Sequence, residues 1–169
     1  MADALEIRAS ALASQGQGRT VSGYCAVFND PVPICDFEEV IAPTAFDRVL
    51  DGDGDVLALY DHETGQLLGR RSAGTLRLAK DDHGLRFELD LPETQLGRDV
   101  AELVRRRDLA GCSFGFVVRD EAWQGQRRTL KDVDLREISI VAQPAYPQTS
   151  VAVRSRQTAK KEAYRVWTL

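Results

Sequence analysis

A chain of 169 residues suits one domain, and at about that length burial of roughly 70% of the unfolded surface lets a chain fold without metal or disulfide staples. Hydrophobic residues at 43% and charged residues at 28% exclude wholesale disorder, and 22 Lys+Arg against 26 Asp+Glu leave a formal charge of −4, which weighs against a dedicated nucleic-acid binder with its cationic footprint. No apolar run approaches the ~18 residues of a membrane span, and MADALEIRAS lacks the basic start and apolar core of a secretory signal.

The first two-thirds alternate in the manner of short strands. Leu5, Ile7 and Ala9 are interleaved with Glu6, Arg8 and Ser10, the period-2 signature of a half-buried strand. After the turn SQGQGRT, Val21, Gly23, Cys25 and Val27 are interleaved with Tyr24, Ala26 and Phe28. CDFEEVI follows the loop NDPVP, and Thr44 with Asp47 predicts a capped short helix from Ala45 to Leu50. DGDGD then turns the chain, and VLALY (Val56 to Tyr60) has the continuous apolar character of a central strand. Leu76 and Leu78, the turn DDHG, and Leu85 to Leu91 predict a hairpin. Thr94 caps a long helix with Leu96, Val100, Leu103 and Val104 as its apolar stripe, and Gly111 marks the way out. Cys112 to Val118 alternates again, with Cys112, Phe114 and Phe116 on one face and Ser113, Gly115 and Val117 on the other. Thr129 to Val133 and LREISIVA (Leu135 to Ala142) complete the set, stopped by Pro144 and Pro147. Many strands with few helices predict a mainly β fold with peripheral helices, drawn into a closed or nearly closed β-barrel over residues 1–153. Residues 154–169 form a weakly patterned basic tail.

Three polar residues stand where strands would not need them. His62 directly follows VLALY, Ser113 lies in the aromatic and glycine-rich GCSFGF, and Glu137 interrupts LREISIVA. A nucleophilic hydrolase needs a hydroxyl, an imidazole to take its proton and a third group to orient that imidazole. Each residue also has a plain structural role open to it: a hydrogen-bonded edge histidine, a strand serine, a glutamate paired with Arg136. Spacing does not choose, because triad members have no fixed order. Cys112 adjoins Ser113, but neighbouring strand residues face opposite ways, so it reads as an inert core thiol. Cys25, Cys35 and Cys112 include no CxxC pair, and two histidines do not complete a structural zinc site, so reduced thiols of a cytoplasmic protein are expected. Arg105, Arg106 and Arg107 read as a solvated helix end favoured by the helix dipole.

Taken in order, GYCAVFND, EVIAPTAFDRVL, VLALYDHETGQLLGR, HGLRFELDLP, LVRRRDLAGCSFGFVV and LREISIVAQPAYPQTSVAVR resemble the tailed-phage prohead maturation proteases, which are similar in fold and chemistry to herpesvirus assemblin. The most specific pieces are Asp61-His62, the glycine-bracketed serine strand, and the EIS-then-PA segment from Glu137 to Ala145. The resemblance implies a serine endopeptidase, without cofactor or metal, that clears the scaffolding segment of the major capsid protein inside the procapsid, within the bacterial host cytoplasm. It puts the imidazole on His62 and the nucleophile on Ser113. The third member falls about two dozen residues after the serine, on Glu137, where the herpesvirus branch has a second histidine. His83 is the remaining histidine and sits in the DDHG turn. The arginines that follow the third member in the herpesvirus enzymes are absent from AQPAYPQ, so backbone groups near Ser113 and Gly115 become the candidate oxyanion donors. Gly115 also clears the nucleophile's strand face for substrate to approach, and it reads equally as a bulge or a close-packing position.

The resemblance further implies an active homodimer and a tail removed by autoproteolysis, with no nucleic-acid or membrane partner. The alternative is a non-catalytic barrel that partners capsid assembly; intact His62, Ser113 and Glu137 favour the enzyme. An esterase using the same three residues is a third possibility.

Overall fold

A computed structural model describes residues 5–11 and 19–142. The strands are β1 (Leu5–Ala11), β2 (Thr20–Val27), β3 (Val32–Ile34), β4 (Phe37–Ile41), β5 (Leu57–Tyr60), β6 (Glu63–Arg70), β7 (Leu76–Lys80), β8 (Gly84–Asp90), β9 (Gly111–Gln124) and β10 (Arg127–Val141). Two helices, α1 (Asp47–Asp51) and α2 (Gln95–Arg106), stand between them. The basic tail and the Pro144–Ala145 segment lie outside the described residues.

The long hairpin β9–β10 organises the larger sheet. β1 pairs antiparallel with β9, while β10 takes β4 in parallel at its start and β5 in parallel near its end. β3 extends β4, and β6 extends β5. A second sheet runs β2-β8-β7. The mainly β reading holds, but the closed or nearly closed barrel is corrected: among the described residues neither ladder returns to its own first strand. The two halves of β10 recruit different partners, so the large sheet forks instead of curling to closure.

Side chains between the sheets form one core. From β9 come Cys112, Phe114 and Phe116, with Phe114 edge-on to Phe46 at 5.9 Å and stacked with Phe116 at 5.2 Å. Burial pushes the Cys112 thiol well above its usual range and Cys25 up to about 12, which keeps both protonated and inert. All three cysteines are free, with Cys35 exposed.

Several local expectations change. Thr44 does not cap α1: its hydroxyl donates to the Lys131 carbonyl, and the helix starts two residues later than read. Thr94 does cap α2, accepting from the Gly97 N–H at 3.1 Å. The exit from α2 is made by Arg107 in the left-handed region (φ 67), whose N–H reaches the Leu103 and Val104 carbonyls, while Gly111 opens β9. In β2 a register shift between Tyr24 and Ala26 turns the inward set from Val21 and Cys25 to Ala26 and Phe28, so Val27 faces outward. β6 was not anticipated, because its mostly exposed residues alternate with no apolar face. Among the described residues no helix is long and apolar enough to cross a membrane.

A buried ion network ties β1 down. Arg128 grips Glu6 with two bonds, at 2.6 and 2.9 Å, and reaches Glu39 at 3.1 Å. Arg8 also holds Glu39, at 2.6 and 2.8 Å. Burial alone would raise the Glu6 pKa, but the bonds and charges of Arg128 and Arg8 outweigh it and hold this carboxyl below its ordinary 4.5. A lowered folded-state value contributes stability above the unfolded value and loses it as pH falls through the folded one. Thermal unfolding from pH 7 to pH 3 is therefore expected to show Tm falling through the acid range. Glu6→Gln starts lower and falls less; equal slopes in the two proteins would refute this assignment.

Candidate active site

A bulge in β10 decides which side chains share a face. Leu135 pairs with Phe116, yet the next matched pair is Glu137 with Gly115, so β10 advances two residues while β9 advances one. Regular alternation would put Leu135, Glu137 and Ser139 together. The extra residue, Arg136, leaves Leu135 with Ile138 and Ile140 on the core side and turns Glu137 and Ser139 to the other face. Ser113 and Gly115 already point that way, opposite the core-facing Cys112, Phe114 and Phe116. Ser113 stands directly across the ladder from Ser139, and Gly115 from Glu137.

The imidazole arrives from the other neighbour of β10. β5 runs parallel to it, and the ladder continues one residue further through the Asp61 N–H to the Ile140 carbonyl. The chain then leaves the sheet through two consecutive left-handed residues, Asp61 (φ 51) and His62 (φ 62). These are among the few non-glycine types that adopt this region readily. The His62 N–H, no longer in the ladder, donates to Ser139 Oγ at 3.2 Å.

This turn brings His62 Nδ1 within 2.7 Å of Glu137 Oε1. A carboxylate only accepts, so Nδ1 carries the proton and Nε2 presents its lone pair on the far side of the ring. Ser139 Oγ donates to the other oxygen, Glu137 Oε2, at 2.6 Å. Glu137 is 3% exposed and does not pair with Arg136, which turns to Asp134. His62 and Glu137 are thus brought together. Ser113 lies on the same face but is 1% exposed, and its hydroxyl donates to the Arg8 carbonyl of β1 at 2.8 Å instead of to the imidazole.

Gly115, a candidate oxyanion donor by the resemblance, stands within the β1–β9–β10 ladders. Its backbone is paired on both sides, with Ile7 and with Glu137. What its missing side chain provides is space, because a Cβ there would lie 2.6 Å from Glu137 Oε1. His83 stays in the β7–β8 turn, edge-on to Tyr24 at 4.6 Å, away from this face. Ser139 was missed in the sequence, although a residue two positions after a strand glutamate shares its face. Among the described residues no group of three or more His, Cys, Asp or Glu side chains is arranged to hold a metal ion. A surface hollow of about 530 Å³ lined by Cys35, Phe37, Gln124 and Arg127 lies at the opposite end of β10 and includes none of these residues.

A family model described as caudovirus prohead serine protease matches residues 3–163. Among solved structures, the capsid assembly protease of bacteriophage T4, gp21, superposes with a TM-score of 0.60 over 82% of this chain and 97% of that one. At 8% identity that likeness carries the fold alone. No curated protein sequence matches the chain.

Proposed function

The chain belongs to the caudovirus prohead serine protease family, and from that membership we propose that it removes the scaffolding segment of the major capsid protein and then cleaves itself, through an acyl-enzyme on Ser113. It is a serine protease of capsid maturation; the substrate and the residue roles are the proposal. Family membership supports the substrate, and one observation carries the residue roles: the 2.7 Å bond from His62 Nδ1 to Glu137 Oε1, on the sheet face that also holds Ser113.

In this reading Glu137 fixes the tautomer in which His62 Nε2 is the acceptor. Ser113 sits on β9 between β1 and β10, with its Oγ turned to the β1 side. Rotation to another staggered χ1 well turns the hydroxyl from the Arg8 carbonyl toward β10 and the imidazole. Oγ then attacks the scissile carbonyl as its proton passes to Nε2. The resulting imidazolium is stabilised by Glu137 and returns that proton to the departing amine, which leaves the acyl on Ser113. Water, deprotonated by the same imidazole, releases the acyl and restores the serine. The small Ser139 side chain between His62 and Ser113 supports this geometry, because a bulky residue there would separate the ring from the hydroxyl.

Co-expression with the capsid protein tests the reading. The capsid subunit is expected to shorten with the wild-type chain and stay whole with Ser113→Ala. Mass spectra of the same samples should show residues 154–169 lost from the wild type only. Shortening with both chains, or with neither, would count against the Ser113 acyl-enzyme.

A further inference from the structure

Among the described residues, Ser139 is the only hydroxyl-bearing residue that bonds to both members of the His62–Glu137 pair. Its Oγ accepts from the His62 main-chain N–H at 3.2 Å and donates to Glu137 Oε2 at 2.6 Å. It is fully buried, at 0% exposed. We propose that Ser139 is a positioning residue of the protease: its hydroxyl locks the left-handed Asp61-His62 turn to the Glu137 carboxylate, and so aims the imidazole at the nucleophile. The inference rests on the Ser113–His62–Glu137 reading and extends it to a fourth residue.

The physical argument starts from what each partner would do without the hydroxyl. His62 enters the site from a turn with two successive positive φ values, 51 and 62, a conformation that other contacts must hold in place. The last ladder bond before the turn is made by Asp61, to the Ile140 carbonyl at 3.1 Å. The His62 N–H is the next donor along the chain, and Ser139 Oγ receives it. Glu137 has a similar need. One carboxylate oxygen is taken by the imidazole; the other, buried, requires a donor, and a carboxylate pinned at both oxygens cannot swing about its terminal torsion. A single Oγ meets both needs, so backbone turn and carboxylate are set by one atom. That atom also sits across the ladder from Ser113, which ties their distance to the strand spacing.

A fluorophosphonate reports on the site without a known peptide substrate. Ser139→Ala and Ser139→Val are expected to lower the maximal inactivation rate, kinact, about 10- to 100-fold, the loss typical of one orienting hydrogen bond to a charged group. KI should change little, Tm should fall because two buried partners lose their bond, and the low-field proton resonance of the His62–Glu137 bond should weaken or vanish. Ser139→Thr, which matches valine in shape but keeps the hydroxyl, should recover most of the rate and the resonance. The label is expected on Ser113 throughout. Wild-type kinact and resonance in Ser139→Ala overturn the positioning role while leaving the Ser113 reading intact. Equal losses in Ala, Val and Thr also overturn it, since packing would then be the cause. Labelling that persists in Ser113→Ala removes the nucleophile assignment and this inference with it.

Discussion

Glu137→Gln is expected to lower turnover about 10³- to 10⁴-fold, the scale seen when an orienting carboxylate of a serine protease is replaced by its amide, while the protein stays folded. The amide is nearly isosteric, and Glu137 is boxed in at 3% exposure, so the side chain has little freedom to move. Its chemistry is reversed at one corner. An amide NH₂ placed against His62 Nδ1, now 2.7 Å from a carboxylate oxygen, donates where the carboxylate accepted. The imidazole then keeps its proton on Nε2 and offers no lone pair to the Ser113 hydroxyl. Whatever imidazolium forms has also lost its counter-charge. Removing a buried charge lightens a desolvation cost, so Tm should move little or rise. The check is kcat on a peptide copied from the cleaved capsid junction, beside a thermal melt. Activity within tenfold of wild type would take the third role away from Glu137, and His83, held in the β7–β8 turn, is not placed to inherit it.

The effect is legible in the structure in a way it was not in the sequence. Alternation in GCSFGF already separated Cys112, Phe114 and Phe116 from Ser113 and Gly115, because strand parity needs no tertiary information. Thr94 and its apolar stripe likewise announced α2. LREISIVA misleads under the same rule: read without a bulge, it puts Leu135 and Glu137 on one face, and only pairing with β9 shows Arg136 as the extra residue. Bulges are set by the partner strand, so one strand's pattern cannot place them. The left-handed exit of α2 at Arg107 escaped for a related reason, since a glycine stood nearby and no local signal marks an arginine for that role. Barrel closure is more remote still, as it depends on which halves of β10 recruit which strands. No local pattern announces the proximity of His62 to Glu137; its cause is a parallel β5–β10 pair that ends in a two-residue left-handed turn.

Gly115→Ala tests that cause from the opposite strand and is expected to reduce kcat about 10²-fold, the order associated with an ångström-scale misplacement of a catalytic group. A methyl at this position would meet Glu137 Oε1 at 2.6 Å, Cγ at 3.1 Å and Cδ at 3.2 Å. The first of these is the oxygen that holds His62 Nδ1. Something must give, and the cheapest motion is rotation of the carboxylate away from the ring, because the alternative is to part the β9–β10 ladder where Gly115 pairs with Glu137. The loss should therefore appear in kcat with KM nearly unchanged. Gly65→Ala is the control: it lies on β6, close in sequence to His62, where an added Cβ meets nothing within 4 Å, and activity should stay within twofold. The decisive measurement is the double variant. If the methyl acts by displacing Glu137, then adding Gly115→Ala to Glu137→Gln costs far less than it does alone, because the interaction it disrupts has already gone. Full additivity of the two losses would mean that Gly115 acts through some route other than this carboxylate.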